Sequence, residues 1–150
     1  MNNLEYKLMN KAHFNYGNII FAMAGSVRGI EQEIAKGDIP AVSRDFRDVA
    51  KGYAVLESNY RRIDVLRYDK EHGGLIMKEI KERGLPELHQ IIEEFKRVLK
   101  HSSREDLQKK LQHLRKCICV FRSLGNQFGK LPKYQQYREE RKRRSGANCT

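Results

Sequence analysis

Val42 to Ile63 reads VSRDFRDVAKGYAVLESNYRRI. Val42, Phe46, Val49, Tyr53, Leu56, Tyr60 and Ile63 follow one another at spacings of 4, 3, 4, 3, 4 and 3. A helix gathers such positions on one side, because a turn of about 3.6 residues nearly repeats after seven. Arg44, Asp45, Arg47, Asp48, Lys51 and Glu57 fall on its other faces. Leu66 continues the stripe, so the pattern predicts one helix of near 30 residues, about 45 Å long, closed by His72-Gly73-Gly74. Ser43 or the turn before it would cap the start.

The same period extends both ways. Upstream, Tyr16, Ile20, Met23, Val27, Ile30 and Ile34 run 4, 3, 4, 3, 4 until Gly37-Asp38-Ile39-Pro40 stops the helix. Ala22, Ala24, Gly25, Ser26 and Gly29 add a face of small residues, suited to close helix packing. Downstream, Leu75 to Arg83 reads as a short helix ended by Gly84-Leu85-Pro86. Leu88, Ile91, Phe95 and Val98 form the next stripe, and Ser102-Ser103 the next turn. Ser103 with Asp106 three residues on has the form of a capping box with Asp for Glu. Leu107, Leu111, Leu114, Ile118 and Phe121 then run 4, 3, 4, 3, before Gly125 and Gly129-Lys130-Leu131-Pro132 end that helix.

Narrow seams and short connections favour near-antiparallel packing. The expected fold is all-α: an antiparallel helical bundle of about four main helices over residues 1–132, followed by a basic polar tail, 133–150, that is mobile. A chain of 150 residues, 39% hydrophobic and 33% charged, suits one such domain. The longest apolar run, Ile19 to Ala24, is far short of the roughly 20 residues of a membrane span. Glu5, Lys7 and Lys11 stand where a signal peptide would be apolar, so the expected location is cytoplasmic, or nuclear in a eukaryotic host.

Charge is the most directional functional signal. The chain carries a formal net +11. Residues 113–150 hold ten Lys/Arg and two acids, against twenty and seventeen in residues 1–112. An excess this local points to an anionic partner. Arg115, Lys116, Arg122, Lys130, Lys133, Arg138, Arg141, Lys142, Arg143 and Arg144 are the candidate phosphate contacts. Tyr134 and Tyr137, interleaved with them, are candidates to stack on unpaired bases. No helix-turn-helix, zinc-finger or RNP pattern accompanies them, so the expected binding is to the backbone of RNA or DNA rather than to sequence. The competing expectation is an adaptor or regulator whose helical seam binds another protein or a second copy.

Chemistry has little support. Cys117 and Cys119 point about 200° apart on a helix and cannot share a metal. His89, His101 and His113 lie on two helices with no common site, and no Glu-x-x-His occurs. No metal or cofactor is expected. Gly125 to Lys130 lacks the strand that precedes a phosphate-binding loop and reads as a plain loop. Arg67-Tyr68-Asp69-Lys70-Glu71-His72 is an Arg-x4-His string that resembles the motif of the HEPN-type ribonucleases, which are also helical bundles. The resemblance would put Arg67 on an RNA phosphate and His72 on a ribose-linked proton. It is two residues wide, and the expectation for this chain is a non-enzymatic accessory protein.

Overall fold

The structure is a computed structural model. It describes residues 3–101 and 103–148, and their side chains except those of 3–10, 12, 14, 137, 141 and 144–148. Among the described residues every regular element is helical. They are α1 (Asn3–Lys36), α2 (Ile39–Arg61), two 3₁₀ turns (Val65–Arg67 and Lys70–His72), α3 (Gly74–Glu79), a π turn (Ile80–Gly84), α4 (Leu85–His101), α5 (Arg104–Gly129) and α6 (Pro132–Asn148).

Helices α1, α2, α4 and α5 contact in a ring: α1 against α2, α2 against α4, α4 against α5, and α5 back against α1. The stripes read from the sequence line its inside. Ile20, Val27, Ile30 and Ile34 of α1 are buried with Val42, Val49 and Leu56 of α2, Leu88 and Phe95 of α4, and Leu107, Leu114 and Phe121 of α5. Phe46 stacks on Phe95 with ring centroids 4.6 Å apart, joining α2 to α4. Each such side chain contributes about 1.5–3 kcal/mol by leaving water.

Short polar contacts set the turns. Gly37, at φ +74°, adopts the left-handed conformation that reverses the chain between α1 and α2. Asp38, rather than Ser43, caps α2 by accepting from the Ala41 amide at 3.2 Å, and Pro40 occupies the first turn, where its missing N–H costs nothing. Ser103 caps α5 as the sequence suggests, accepting from the Asp106 amide.

Three elements depart from the sequence expectation. First, α2 ends at Arg61, about a turn and a half past Leu56, and does not run to Gly73. Asp64 accepts from the Leu66 amide and Asp69 from the His72 amide, so side chains draw the backbone into two 3₁₀ turns. Lys81 Nζ donates to the Ile63 carbonyl at 2.8 Å, closing the frayed end. Leu66, expected to continue the stripe, is left 87% exposed.

Second, Gly84-Leu85-Pro86 does not stop the chain. The Leu85 amide donates to the Ile80 carbonyl, five residues back, and α3 passes through the π turn into α4. In a regular α-helix Pro86 would lose a hydrogen bond and strike the Glu82 carbonyl; the wider turn displaces that carbonyl. Gly84 is there for contact: a Cβ on it would come 3.1 Å from Phe121 Cζ of α5.

Third, α5 runs through Gly125 to Gly129, so the string expected as a plain loop is its last turn. Gly125 lets the Tyr16 ring lie on α5, where a Cβ would come within 2.9 Å of it, and the Tyr16 hydroxyl donates to the Phe121 carbonyl. Burial first, then the nearby Tyr60 and Cys117, push that phenol far above its ordinary range. The small-residue face of α1 is likewise only half used. A Cβ on Gly29 would meet Asp45 of α2 at 2.9 Å, whereas Gly25 has only the Arg28 guanidinium near it.

Candidate nucleic-acid interface

Helix α5 buries Leu107, Leu111, Leu114, Ile118 and Phe121 against the ring. The spacing that sends these inward sends Lys109, Lys116 and Arg122 outward, and all three are exposed. Two other cations of α5 are engaged within the fold. Arg115 pairs with Glu31 of α1, and Lys110 pairs with Glu94 of α4 at 3.1 Å. The Lys110 hydrogen bond, followed by its charge, holds the Glu94 carboxyl below its ordinary range. Arg115 therefore shares its charge with an acid, while Lys116, Arg122 and Lys130 project into water.

Residues 133–148, expected as part of the basic tail, fall in α6 (Pro132–Asn148). This helix contacts the Lys70–His72 turn and α5, where Tyr134 meets Phe128. Lys133, Arg138, Lys142 and Arg143 are exposed on it. The side chains of Tyr137, Arg141 and Arg144 lie outside the described residues. Tyr134 departs from its expected role: it is 4% exposed. Its ring meets Phe128 at 5.0 Å and His13 of α1 at 4.8 Å, and Arg138 Cζ lies 5.9 Å from its centroid. A ring covered by three neighbours has no face to offer a base, so Tyr134 anchors α6 and leaves the set of stacking residues. The apolar stripe that α6 lacks is replaced by this one side chain.

His13 completes the anchor. It stacks on Phe128 at 4.3 Å. Burial first, and then the Arg138 charge, bring its imidazole down to about 4. The basic end of the chain is thus held on α1 by a neutral histidine.

The register of α1 on α5 reveals a second feature. His13 meets Phe128, Tyr16 meets Phe121, Glu31 meets Arg115, and Arg104 donates to the Ala35 carbonyl at 2.8 Å. The two helices therefore run antiparallel over most of their length. Residues 6–30 contain no acid, and neither do residues 107–138, which hold eight Lys/Arg. Packing sets these two acid-free stretches side by side. The intervening residues 31–106 hold fifteen Lys/Arg and sixteen acids. The basic surface thus extends from α5 onto α1, where Lys11 and Arg28 are exposed. Neither is among the phosphate contacts expected from the sequence, because a charge excess along the chain does not register neighbours across a helix pair.

The Arg67–His72 string lies in the two 3₁₀ turns. Arg67 Nε is 3.8 Å from Asp64 Oδ2, and His72 Nδ1 is 2.5 Å from Asp69 Oδ1. The His72 hydrogen bond is the main cause that holds the Asp69 carboxyl below its ordinary range. The His72 side chain is only 15% exposed, while that of Arg67 is largely in water. Cys117 is buried and Cys119 exposed, and neither is in a disulfide. Burial, then the Glu87 charge, push the Cys117 thiol up to about 11, which keeps it protonated. Among the described residues no cluster of His, Cys, Asp and Glu is placed to hold a metal. None of the described helices is long and apolar enough to cross a membrane. No protein-family model matches the chain, and neither curated proteins nor solved structures yielded a match.

Proposed function

We propose that this chain is a non-enzymatic nucleic-acid-binding accessory protein. The scaffold in this reading is an antiparallel bundle of four main helices, and the ligand is the phosphate backbone of RNA or DNA. One observation carries it: an acid-free stretch, residues 107–138, presents exposed cations on α5 and α6 and packs beside a second acid-free stretch on α1. Lys116, Arg122, Lys130, Lys133, Arg138, Lys142 and Arg143 are the proposed phosphate contacts, with Arg141 and Arg144 extending the run. Arg115 plays a smaller part because Glu31 already neutralises it.

The test leaves the core intact. Deleting α6 would also remove Tyr134, so Arg138, Lys142 and Arg143 are changed to Gln in the full chain. Binding to single-stranded RNA, single-stranded DNA and duplex DNA is measured across a salt series. If about six phosphates are neutralised, log K on duplex DNA should fall against log salt with a slope near −5, shallower in the triple variant. Absence of salt-dependent binding by the wild-type protein refutes the reading.

A second reading, an adaptor that binds another protein, is favoured by Leu66 and Leu75. They are 87% and 62% exposed on either side of the Gly73-Gly74 turn. Light scattering on the wild type and a Leu66→Ser/Leu75→Ser variant tests its simplest form, self-association through that end.

A further inference from the structure

The aromatic side chain that Tyr134 fails to supply is present elsewhere on the same surface. Phe21, on α1, is 69% exposed. Interpolating between the His13–Phe128 and Glu31–Arg115 pairs puts it across from the turn of α5 that holds Cys119 and Arg122. Glu31 marks the side of α1 that faces α5. At about 100° per residue, Arg28 and Phe21 lie roughly 60° and 80° farther round, on the solvent rim of that side. On α5, Arg122 is seven residues beyond Arg115, so it shares the side that faces α1.

The local chemistry fits an anion with an apolar face. The Arg28 guanidinium leans back over Gly25, where Nη2 would stand 3.9 Å from a Cβ, and Gly25 is one turn from Phe21. The absence of a side chain at Gly25 keeps this strip of α1 low beside the ring. No acid lies between residues 6 and 30, and Glu31, the next acid on this side, is paired with Arg115. A solvent-exposed phenylalanine in such a field is poorly explained by folding, since it contributes little to the core.

We infer that the α1–α5 face binds a single-stranded polynucleotide, with Phe21 stacking on an unpaired base and Arg28 and Arg122 contacting phosphates on either side of it. This rests on the nucleic-acid reading above and deepens it, because a duplex offers no unpaired base to such a ring while a single strand does. Charge complementarity favours this occupant over an apolar protein surface.

The experiment measures fluorescence anisotropy of labelled oligouridine, oligothymidine and a DNA duplex with the wild type, Phe21→Ala, Phe21→Leu, Phe21→Trp and Arg28→Gln/Arg122→Gln. Thermal melting confirms folding, which a substitution at so exposed a site should leave unchanged. Phe21→Ala and Phe21→Leu are expected to weaken single-strand binding at least fivefold with duplex affinity and salt slope unchanged. Phe21→Trp is expected to preserve it. The double arginine variant should reduce the single-strand salt slope by about 0.7 per arginine. Equal single-strand affinity of Phe21→Ala and wild type overturns the inference while leaving the broader reading in place. So does full affinity in Phe21→Leu, which has no π face. Dissociation of a wild-type dimer by Phe21→Ala overturns it in favour of a second copy on this face. A wild type that binds none of the three probes overturns both readings.

Discussion

Replacing His13 with phenylalanine should flatten the acid side of the stability curve. His13 sits between the face of Phe128 and the edge of Tyr134, and burial with the Arg138 charge brings it down to about 4. In the unfolded chain the same ring takes up a proton near 6.5. Between those values the unfolded state binds the extra proton, so stability falls as pH drops from about 6.5 to about 4 and loses nothing further from this group below that. The gap corresponds to about 3 kcal/mol for a ring wholly out of water; the partial exposure of His13 reduces it to about 2 kcal/mol. For a chain of this length that is a fall in Tm of about 4–8 °C.

Phenylalanine keeps a ring on Phe128 and removes the titration. The quantity to follow is the Tm difference between wild type and His13→Phe, by circular dichroism, from about pH 7.5 to about pH 4. It should change by that amount in favour of the variant as the acid limit is approached. Proton NMR of the wild type offers a direct check, since the histidine resonance missing from His13→Phe should titrate near 4. Parallel Tm curves for the two proteins, or a His13 resonance titrating near 6.5 in the folded state, would refute the placement of His13 under Tyr134 and Arg138.

Tyr16→Phe removes the hydroxyl that donates to the Phe121 carbonyl and should cost about 1–2 kcal/mol in urea unfolding. Gly74→Ala would put a Cβ 2.0 Å from the Tyr68 carbonyl oxygen, a backbone atom that cannot rotate away, and should cost more than about 2 kcal/mol by the same assay. Glu33→Gln should be more stable than wild type at about pH 8 and lose that advantage near pH 4. The reason is that desolvation, then the Asp45 hydrogen bond and the Asp45 and Asp38 charges, push the Glu33 carboxyl up to about 7, so wild-type stability falls as pH rises from about 4.5 to about 7. An equal Tm difference at both pH values would count against that carboxyl pair.

The apolar stripes of α1, α2, α4 and α5 were legible because each is amphipathic and each faces a single core. Their ends were less so. Gly84-Leu85-Pro86 has the composition of a stop, and only the approach of Phe121 explains why a glycine there serves packing instead. Gly125 misleads for the same reason, with Tyr16 as the approaching ring. The continuation of the stripe to Leu66 fails because Asp64 competes for the backbone, a local hydrogen bond that periodicity does not register. Within the candidate site the cations were legible one by one. Their neutralisation by Glu31 or Glu94, and the burial of Tyr134, depend on residues from 16 to over 100 positions away.

This difference changes what the charge excess means. Read along the chain, it belongs to the last quarter and invites a picture of a body with a charged appendage. Read across the helix pair, it is a face, because α1 contributes an acid-free stretch, residues 6–30, that sequence order keeps far from α5. A flexible appendage would bind any polyanion through charge alone and would lose affinity in proportion to the cations removed. A face built on two packed helices holds its cations at fixed separations and can place a neutral ring between them. Removing that ring then changes affinity without changing the salt slope. Phe21 is the side chain through which those two physical pictures can be told apart, since it carries no charge and is 69% exposed.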